Sequence, residues 1–356
     1  MSVSFNESDD ASDSSDLIVR RMRDMPVISS GIVDGYGPIF NPGLLHHEGR
    51  YHLFARGVRF GYRLNPDDGP RFLDYISDIL VFESLDGVDY SFAYVLVSAG
   101  EHAVHCYEDP RVQRVMSTTG ERIVMTYTNL PSEESGMPWR IGAHELRWDG
   151  ERFHVVDGSG RLLGPEGMEN KDAVIFNLAD GRAALMHRLP PNMQLAVFDD
   201  FEALWDADDS YWVEHLAEID THTVIRPAPA AFGVGAGAPP IATEHGLILF
   251  FHERNADGVY TMNVALLDLD HGRPVAILPA PLLVPELPWE IEGDVDGVVF
   301  VQGAHRVNET MIYVAYGAAD RCIGSAVVLI KPLLAALAHE AAVAHAATQL
   351  SLRTAS

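Results

Sequence analysis

The sequence of 356 residues has little positive charge and no long hydrophobic segment. Its 25 lysines and arginines stand against 51 aspartates and glutamates, which gives a net charge of -26. A surface of that sign repels nucleic-acid backbones and anionic lipid. No stretch approaches the roughly 20 uninterrupted apolar residues that a bilayer requires. We therefore expect neither a nucleic-acid partner nor a membrane partner.

Cysteine is also scarce, with only Cys106 and Cys322 present and no CxxC spacing. This argues against a disulfide framework and against a zinc cluster. Residues 1–16 are rich in Ser and Asp and contain no apolar segment typical of a signal peptide. We expect a cytoplasmic protein that begins with a disordered acidic leader over residues 1–16.

Short apolar runs bounded by Gly, Pro, Asn and Asp fill most of the chain, and they indicate strands and turns. Five segments repeat one pattern, in which a polar turn opens an alternating apolar strand that ends in a polar or charged group. Each has a further apolar strand before it and another after it. The five segments begin at Gly49, Gly120, Gly181, His245 and Asn308.

A strand triplet repeated five times predicts an all-β fold, a five-bladed β-propeller, over residues 17–332 as one domain. A pair of β-sandwiches is the alternative, but it would not explain a five-fold repeat. The Ala-rich segment Leu333–Leu350 predicts a helix, so residues 333–356 form a C-terminal helix and tail. A short helical segment over Asp16–Met25 would offer a contact in a possible homo-oligomer.

Polar residues recur at two matching positions of the repeats. In a propeller, such positions converge on one funnel although they are far apart in sequence. We therefore expect a polar site at the mouth of the channel. The start of the first strand carries Asn41, Glu108-Asp109 and Asn170-Lys171-Asp172, and the end of the second carries Arg56, His187-Arg188, His252 and Asp320.

Several of these residues have a structural alternative. Asp109 precedes a proline and could simply form a turn, and Lys171 could belong to a surface salt bridge of little energetic weight. Because strand neighbours point to opposite faces, only one of His187 and Arg188 is expected to face the funnel. The glycine run over residues 233–237 is followed by two prolines, so we interpret it as a blade turn and not as a dinucleotide loop.

A set of motifs between about Pro26 and Lys331 resembles glycoside hydrolase family 130. That family contains inverting β-mannoside phosphorylases and a smaller group of β-mannosidases on a five-bladed propeller. The motifs match in order and approximate spacing, and jointly they are specific. They are FNPG, FAR, EDPRV, NKDAVIF, HR, GAGAPPI, FH and YGAAD.

The resemblance implies a role for each matching residue. It implies that Asp109 is the general acid and that inorganic phosphate is the co-substrate, with no cofactor and no metal. The sequence departs from the family pattern at Glu253 and Arg254, where small residues are usual, and near Phe232, where a lysine is usual. The implied sugar-binding residues are Asn41, Arg56 and Asp320, and the implied phosphate-binding residues are Lys171, Arg188 and His252.

The implied reaction is inverting phosphorolysis of β-mannosidic bonds in manno-oligosaccharides or mannosyl-glucose type disaccharides, giving α-mannose 1-phosphate. A β-mannosidase is the first alternative, and it would need Glu253 or Glu244 as the base that activates water. A non-catalytic sugar-binding propeller is the second. The linkage and the acceptor sugar depend on the loops over residues 57–78 and 130–138.

Overall fold

The computed structural model describes residues 18–67, 71–132 and 135–354, and most of them lie in β-strands. Five antiparallel sheets follow one another along the chain. The first strands of neighbouring sheets contact each other around a central channel. This is the five-bladed β-propeller that the repeats predict, so the fold prediction is confirmed.

The first three blades each begin with the strand nearest the channel. Blade 1 contains β2 (Tyr36–His47), β3 (Arg50–Arg59), β6 (Ser77–Ser84) and β7 (Ser91–Val97), with a hairpin of β4 (Arg63–Leu64) and β5 (Phe72–Leu73) inserted after β3. Blade 2 contains β8 (Cys106–Ser117), β9 (Gly120–Leu130), β10 (Arg140–Trp148) and β11 (Phe153–Val155), and β12 (Arg161–Leu163) also pairs with β10. Blade 3 contains β13 (Lys171–Asn177), β14 (Ala183–Leu189), β15 (Asn192–Phe198) and β16 (Thr223–Ile225).

The last two blades complete the ring. Blade 4 contains β17 (Gly233–Ala236), β19 (Gly246–Arg254), β20 (Tyr260–Leu267) and β21 (Pro274–Ile277), and β18 (Ile241–Thr243) also pairs with β19. The glycine run therefore opens with a channel-lining strand, and its interpretation as a blade turn was wrong. Blade 5 contains β22 (Val299–Arg306), β23 (Met311–Ala318), β24 (Cys322–Leu329) and β1 (Val19–Arg21).

Strand β1 closes the propeller, because it pairs antiparallel with β24 from the other end of the chain. The expectation of a helical segment over Asp16–Met25 was therefore wrong for its described part. The edge of β24 supplies backbone hydrogen-bond partners that this short segment could not supply to itself as a helix. The predicted leader over residues 1–16 lies outside the described residues.

Helices are few and lie outside the sheets. Between β15 and β16 stand α1 (Phe201–Trp205), α2 (Asp209–Ala217) and α3 (Ile219–His222), and α4 (Pro288–Ile291) precedes β22. A 3-10 turn covers Glu101–Ala103. The predicted C-terminal helix is present as α5 (Ile330–Thr354), which starts three residues before the predicted boundary. None of the helices in the described ranges has both the length and the apolarity needed to cross a bilayer.

The hydrophobic core is divided into five clusters, one between each pair of adjacent blades. The blades are covered on both faces, which explains why strands such as β6 and β19 have near-continuous apolar sequences. Helix α5 adds the fully buried Leu333 and Leu337 to the cluster between blades 4 and 5. Close approach at the channel requires Gly43, where an added Cβ would lie 2.7 Å from the carbonyl oxygen of Pro110 in the next blade. This packing brings the starts of the channel-lining strands together.

Candidate functional site

A polar cavity of about 140 Å³ opens at the channel, and all five blades or their connecting loops contribute to it. All seven residues assigned to the site from the sequence line this one cavity. The chemical roles given to them remain proposals, but the structure does bring them together. The lining residues are Asn41, Arg56, Glu108, Asp109, Lys171, Asp172, Arg188, His252, Tyr260, Val295, Val298, Phe300 and Asp320.

One backbone feature, repeated in three blades, places the polar groups of the first strands. The register of β2, β8 and β13 shifts against the next strand at the same point, and a bulged residue stands there. These residues are Asn41, Asp109 and Asp172, with φ of 47°, 51° and 54°. Asn and Asp tolerate this left-handed conformation better than most residues. A bulge redirects the side chain out of the sheet plane, and here it directs three side chains into the cavity.

Asp109 is held from two sides. The Asn41 side-chain amide donates a hydrogen bond of 2.9 Å to Asp109 Oδ1, and Arg56 Nη1 lies 3.6 Å from the same oxygen. Only 8% of Asp109 is exposed. The residue therefore faces the cavity as a fixed carboxyl group, and the interpretation of Asp109 as a mere turn former does not fit its position.

Two further carboxyl groups, those of Glu108 and Asp320, lie near Arg56. The Arg56 guanidinium forms an ion pair with Glu108 and also donates a hydrogen bond of 3.2 Å to the Ser77 hydroxyl. Burial raises the pKa of Glu108, with the charge of Arg56 opposing the shift. Burial likewise raises the pKa of Asp320 to about 7, again against the charge of Arg56. This side of the cavity thus offers one cation and several carboxyl groups, which can exchange hydrogen bonds with sugar hydroxyls.

The basic side of the cavity is organised by Asp172, which is buried and 2% exposed. Arg188 Nη1 lies 2.9 Å and His252 Nε2 3.5 Å from Asp172 Oδ2. From the other side, Arg111 donates a hydrogen bond of 3.0 Å to Asp172 Oδ1. Although burial opposes it, the charges of Arg188 and Arg111 hold the pKa of Asp172 well below its ordinary value. Asp172 therefore stays ionised and holds the basic side chains in place.

Lys171 stands beside Arg188, because the two residues are paired across β13 and β14. Burial, together with the charge of Arg188, lowers the pKa of Lys171. Its ammonium group lies 4.1 Å from the centre of the Trp139 ring, which favours the charged form. A bound anion between Lys171 and Arg188 would remove the repulsion between them.

Several buried polar atoms around this basic side make no hydrogen bond within the described part of the chain. They include Arg188 Nε and both ring nitrogens of His252. Burial lowers the pKa of His252 against the opposing charge of Asp172, so the ring is neutral near pH 7 and has one N–H to donate. Buried polar groups normally have partners, and an anionic ligand in the cavity would supply them.

The structure also shows which of the two sequence neighbours, His187 and Arg188, faces the cavity. Arg188 lines the cavity, whereas His187 is fully buried on the other side, near Asn170 Oδ1 at 3.2 Å and His215 Nε2 at 3.3 Å. This confirms that only one of the pair faces the funnel. Neither Glu253 nor Glu244 lines the cavity: Glu253 accepts a hydrogen bond of 2.8 Å from the Ala228 backbone N–H, and Glu244 is exposed beside His245.

Sequence reasoning missed two members of the basic side. Asp172 was noted only as part of a polar run, and Arg111 was not considered. Arg111 is 1% exposed and bridges blades by donating to the carbonyl oxygens of Gly237 and Ala236 as well as to Asp172. Its place two residues after Asp109, within the same EDPRV motif, was the available signal.

The cavity combines a fixed carboxyl group, several side chains that can form hydrogen bonds with sugar hydroxyls, and a cluster of basic side chains. On a propeller fold, this combination suits an enzyme that acts on carbohydrates and binds an anion. The model of glycoside hydrolase family 130, described as beta-1,4-mannooligosaccharide phosphorylase, matches residues 18–339. The chain belongs to this family and is an enzyme of the glycoside phosphorylase class.

Two known relatives each match more than four-fifths of the chain. A 1,2-beta-oligomannan phosphorylase from Thermoanaerobacter sp. is 29% identical over 88% of this chain and 98% of its own length. A beta-1,2-mannobiose phosphorylase from the same organism is 31% identical over 82% of this chain and 89% of its own. Among solved structures, the Listeria innocua beta-1,2-mannobiose phosphorylase shares the fold with a TM-score of 0.70 at 20% identity, covering 90% of this chain and 99% of that one.

Proposed function

We propose that this protein cleaves β-mannosidic bonds in manno-oligosaccharides or mannosyl-glucose type disaccharides with inorganic phosphate and with inversion, giving α-mannose 1-phosphate. One observation carries the proposal. The basic cluster of Lys171, Arg188 and His252 lies in the same cavity as the fixed acid Asp109. The two carboxylates that a hydrolase was expected to use as base do not line that cavity. The site therefore suits an anionic nucleophile better than an activated water.

Asp109 is the proposed proton donor. In an inverting displacement, a phosphate oxygen forms a bond to C1 of the mannosyl ring while the bond from C1 to the leaving oxygen breaks. The leaving oxygen must receive a proton, and the Asp109 carboxyl supplies it. Because Asn41 donates to Asp109 Oδ1, the other oxygen of the carboxyl group is free to carry that proton.

The basic cluster is the proposed phosphate site. Phosphate is already an anion at neutral pH and needs no general base to become a nucleophile. It needs cations that orient it and oppose the repulsion of a chain with net charge -26. Lys171 and Arg188 supply two charges, and neutral His252 supplies a hydrogen-bond donor. Asn41, Arg56 and Asp320 then hold the mannosyl ring by its hydroxyl groups.

The proposed linkage is β-1,2. The two relatives that cover more than four-fifths of this chain act on β-1,2-linked mannosides by their names. A beta-1,4-mannooligosaccharide phosphorylase from Ruminococcus albus matches only 44% of this chain. The loops expected to select the linkage, over residues 57–78 and 130–138, include undescribed residues, so the support comes from the relatives and not from the loops.

The test is incubation of the purified protein with β-1,2-mannobiose, β-1,4-mannobiose and mannosyl-β-1,4-glucose, each with and without inorganic phosphate. We expect mannose 1-phosphate from β-1,2-mannobiose only when phosphate is present. Faster turnover of β-1,4-mannobiose would contradict the linkage alone. Sugar release at the same rate without phosphate would contradict phosphorolysis and favour the β-mannosidase alternative.

A further inference from the structure

Arg254 forms a stack of three side chains at the edge of the cavity. It ends β19, two residues after His252, so both side chains leave the strand on the same face. The Arg254 guanidinium carbon lies 4.6 Å from the centre of the Phe232 ring and 5.6 Å from that of Tyr260. Tyr260 itself lines the cavity. The stack therefore leads from the cavity wall to the solvent.

The charge of Arg254 is not neutralised within the described part of the chain. Its contacts there are the two rings and a hydrogen bond of 3.4 Å to the Gly258 carbonyl. The neighbouring carboxylate of Glu253 is occupied by the Ala228 N–H. The cavity cations Arg56 and Arg188, by contrast, both pair with carboxylates.

The stack fixes the orientation of the guanidinium. Contact with two rings restricts rotation of the side chain, and the Phe232 backbone N–H donates a hydrogen bond of 2.8 Å to the Arg254 carbonyl. A guanidinium stacked on aromatic rings still presents its N–H edge, which can bind two oxygens of a phosphate or carboxylate. Because Arg254 is exposed, that edge is accessible to a solute approaching the cavity.

We propose that Arg254 is an oxyanion contact at the mouth of the cavity, one step outside the basic cluster. Its ligand is either inorganic phosphate or an acidic group on the leaving sugar, and both present the same oxygens. The inference rests on the proposed phosphorolysis, which supplies the anion.

The experiment compares wild type with Arg254→Gln, which removes the charge, and Phe232→Leu, which removes one ring of the stack. Arg147→Gln is the control, because Arg147 is exposed on β10 and does not line the cavity. One arm measures binding of inorganic phosphate to the sugar-free protein by calorimetry. The other measures synthesis from saturating α-mannose 1-phosphate with glucose or glucuronate as acceptor.

If phosphate is the ligand, Arg254→Gln weakens its calorimetric affinity about tenfold, the loss expected for one charge-assisted contact. If an acidic sugar is the ligand, the ratio of the KM for glucuronate to that for glucose rises about tenfold instead. Phe232→Leu shifts the same quantity in the same direction by a smaller factor. Arg254→Gln values equal to those of Arg147→Gln in both arms would overturn the proposal.

The two measurements also distinguish a failure of this inference from a failure of the proposed function. Calorimetry requires no turnover, so it reads the phosphate contact even in a protein that cleaves no mannoside. Failure of wild type to produce mannose 1-phosphate would count against phosphorolysis. Unchanged phosphate affinity and an unchanged acceptor ratio in Arg254→Gln, with wild type active, would count against Arg254 alone.

Discussion

Four residues of the site, Asn41, Asp109, Asp172 and Asp320, share a left-handed backbone conformation. A non-glycine residue in a sparsely populated conformation costs on the order of 1–3 kcal/mol, and such residues cluster at functional sites. Asn and Asp occupy this region at a lower cost than most residues. Asp to Asn exchanges therefore remove charge at these positions with little change of backbone preference, which makes them suitable probes.

For Asp109→Asn, we expect phosphorolysis to fall by about 10²–10⁴-fold, the usual contribution of a general acid. The amide keeps the shape of the carboxyl group but has no proton of suitable acidity to donate. Steady-state phosphorolysis of β-1,2-mannobiose gives the loss, and circular dichroism checks the fold. Glu253→Gln is the matched control and should keep its activity. Near wild-type activity of Asp109→Asn would remove Asp109 from the mechanism.

For Arg188→Gln, we expect the KM for phosphate to rise about tenfold or more, since a hydrogen bond to a charged group is lost. The KM for the mannoside should change much less, because Arg188 lies on the basic side of the cavity. Initial rates at varied phosphate and fixed saturating sugar measure the effect. Arg182→Gln serves as the control, because Arg182 is a half-buried arginine that pairs with Asp180 and does not line the cavity. Equal changes in both KM values would refute the assignment.

Asp320 gives a prediction about pH. Its pKa is raised by burial to about 7 in the folded protein, from 3.8. The folded state then binds a proton more tightly than the unfolded state, so Asp320 lowers stability as the pH rises through this window. We expect Asp320→Asn to raise Tm more at pH 8 than near pH 5, since the destabilisation grows between the two pKa values, and to weaken mannoside binding at pH 8. An equal shift of Tm at both pH values would contradict the raised pKa.

The sequence could predict that the seven site residues lie together, because they occupy matching positions in the repeats and also belong to the family motifs. The arrangement around Asp172 could not, since it joins side chains from blades 2, 3 and 4 that no local pattern relates. Arg111 illustrates the limit: its motif is visible in the sequence, but only the structure shows that it reaches from blade 2 to the carbonyl oxygens of Ala236 and Gly237 in blade 4.

At the scale of elements, two predictions were wrong: the turn over residues 233–237 and the helix over Asp16–Met25. Both regions contain short strands, β17 and β1, that pair with strands other than the next one along the chain. Strand β17 consists of Gly233, Val234, Gly235 and Ala236, and glycine is unfavourable in strands. It is required here, since a Cβ on Gly235 would lie 2.4 Å from Asp172 Oδ2 and 2.6 Å from the His252 ring. The glycine run thus reflects the site beside it and not a turn.

Strand β1 is attached to the body through a buried ion pair. Arg21 donates hydrogen bonds of 2.8 and 2.7 Å to the two carboxylate oxygens of Glu290, which is fully buried and also accepts 2.8 Å from the Tyr316 hydroxyl. Removing one partner leaves an uncompensated charge. The closure of the fifth blade therefore depends on Arg21 as well as on the backbone pairing with β24.

For Arg21→Met, we expect the free energy of unfolding to fall by about 3 kcal/mol, the low end for breaking a buried ion pair. Urea unfolding followed by tryptophan fluorescence measures it. The neighbouring Arg20→Met is the control, because Arg20 is exposed on the same strand and its loss should cost little. Equal effects of the two substitutions would show that the Glu290 pair does not hold the strand.

At the scale of the whole molecule, the propeller converts sequence repeats into spatial neighbours. The proposed sugar-binding and phosphate-binding groups come from different blades and meet in one cavity, into which the bulges of β2, β8 and β13 direct three polar side chains. In the proposed mechanism, the basic cluster takes the place of the base, Glu253 or Glu244, that a hydrolase was expected to use. That replacement is the central claim, and it concerns the identity of the nucleophile.

The most direct test follows the reaction of the methyl β-glycoside of β-1,2-mannobiose with phosphate by proton NMR. With this substrate, phosphorolysis releases methyl mannoside and mannose 1-phosphate, whereas free mannose forms only by hydrolysis. We predict α-mannose 1-phosphate as the first mannosyl product, with no free mannose. Free mannose as the first product, or mannose 1-phosphate appearing first as the β anomer, would contradict the account.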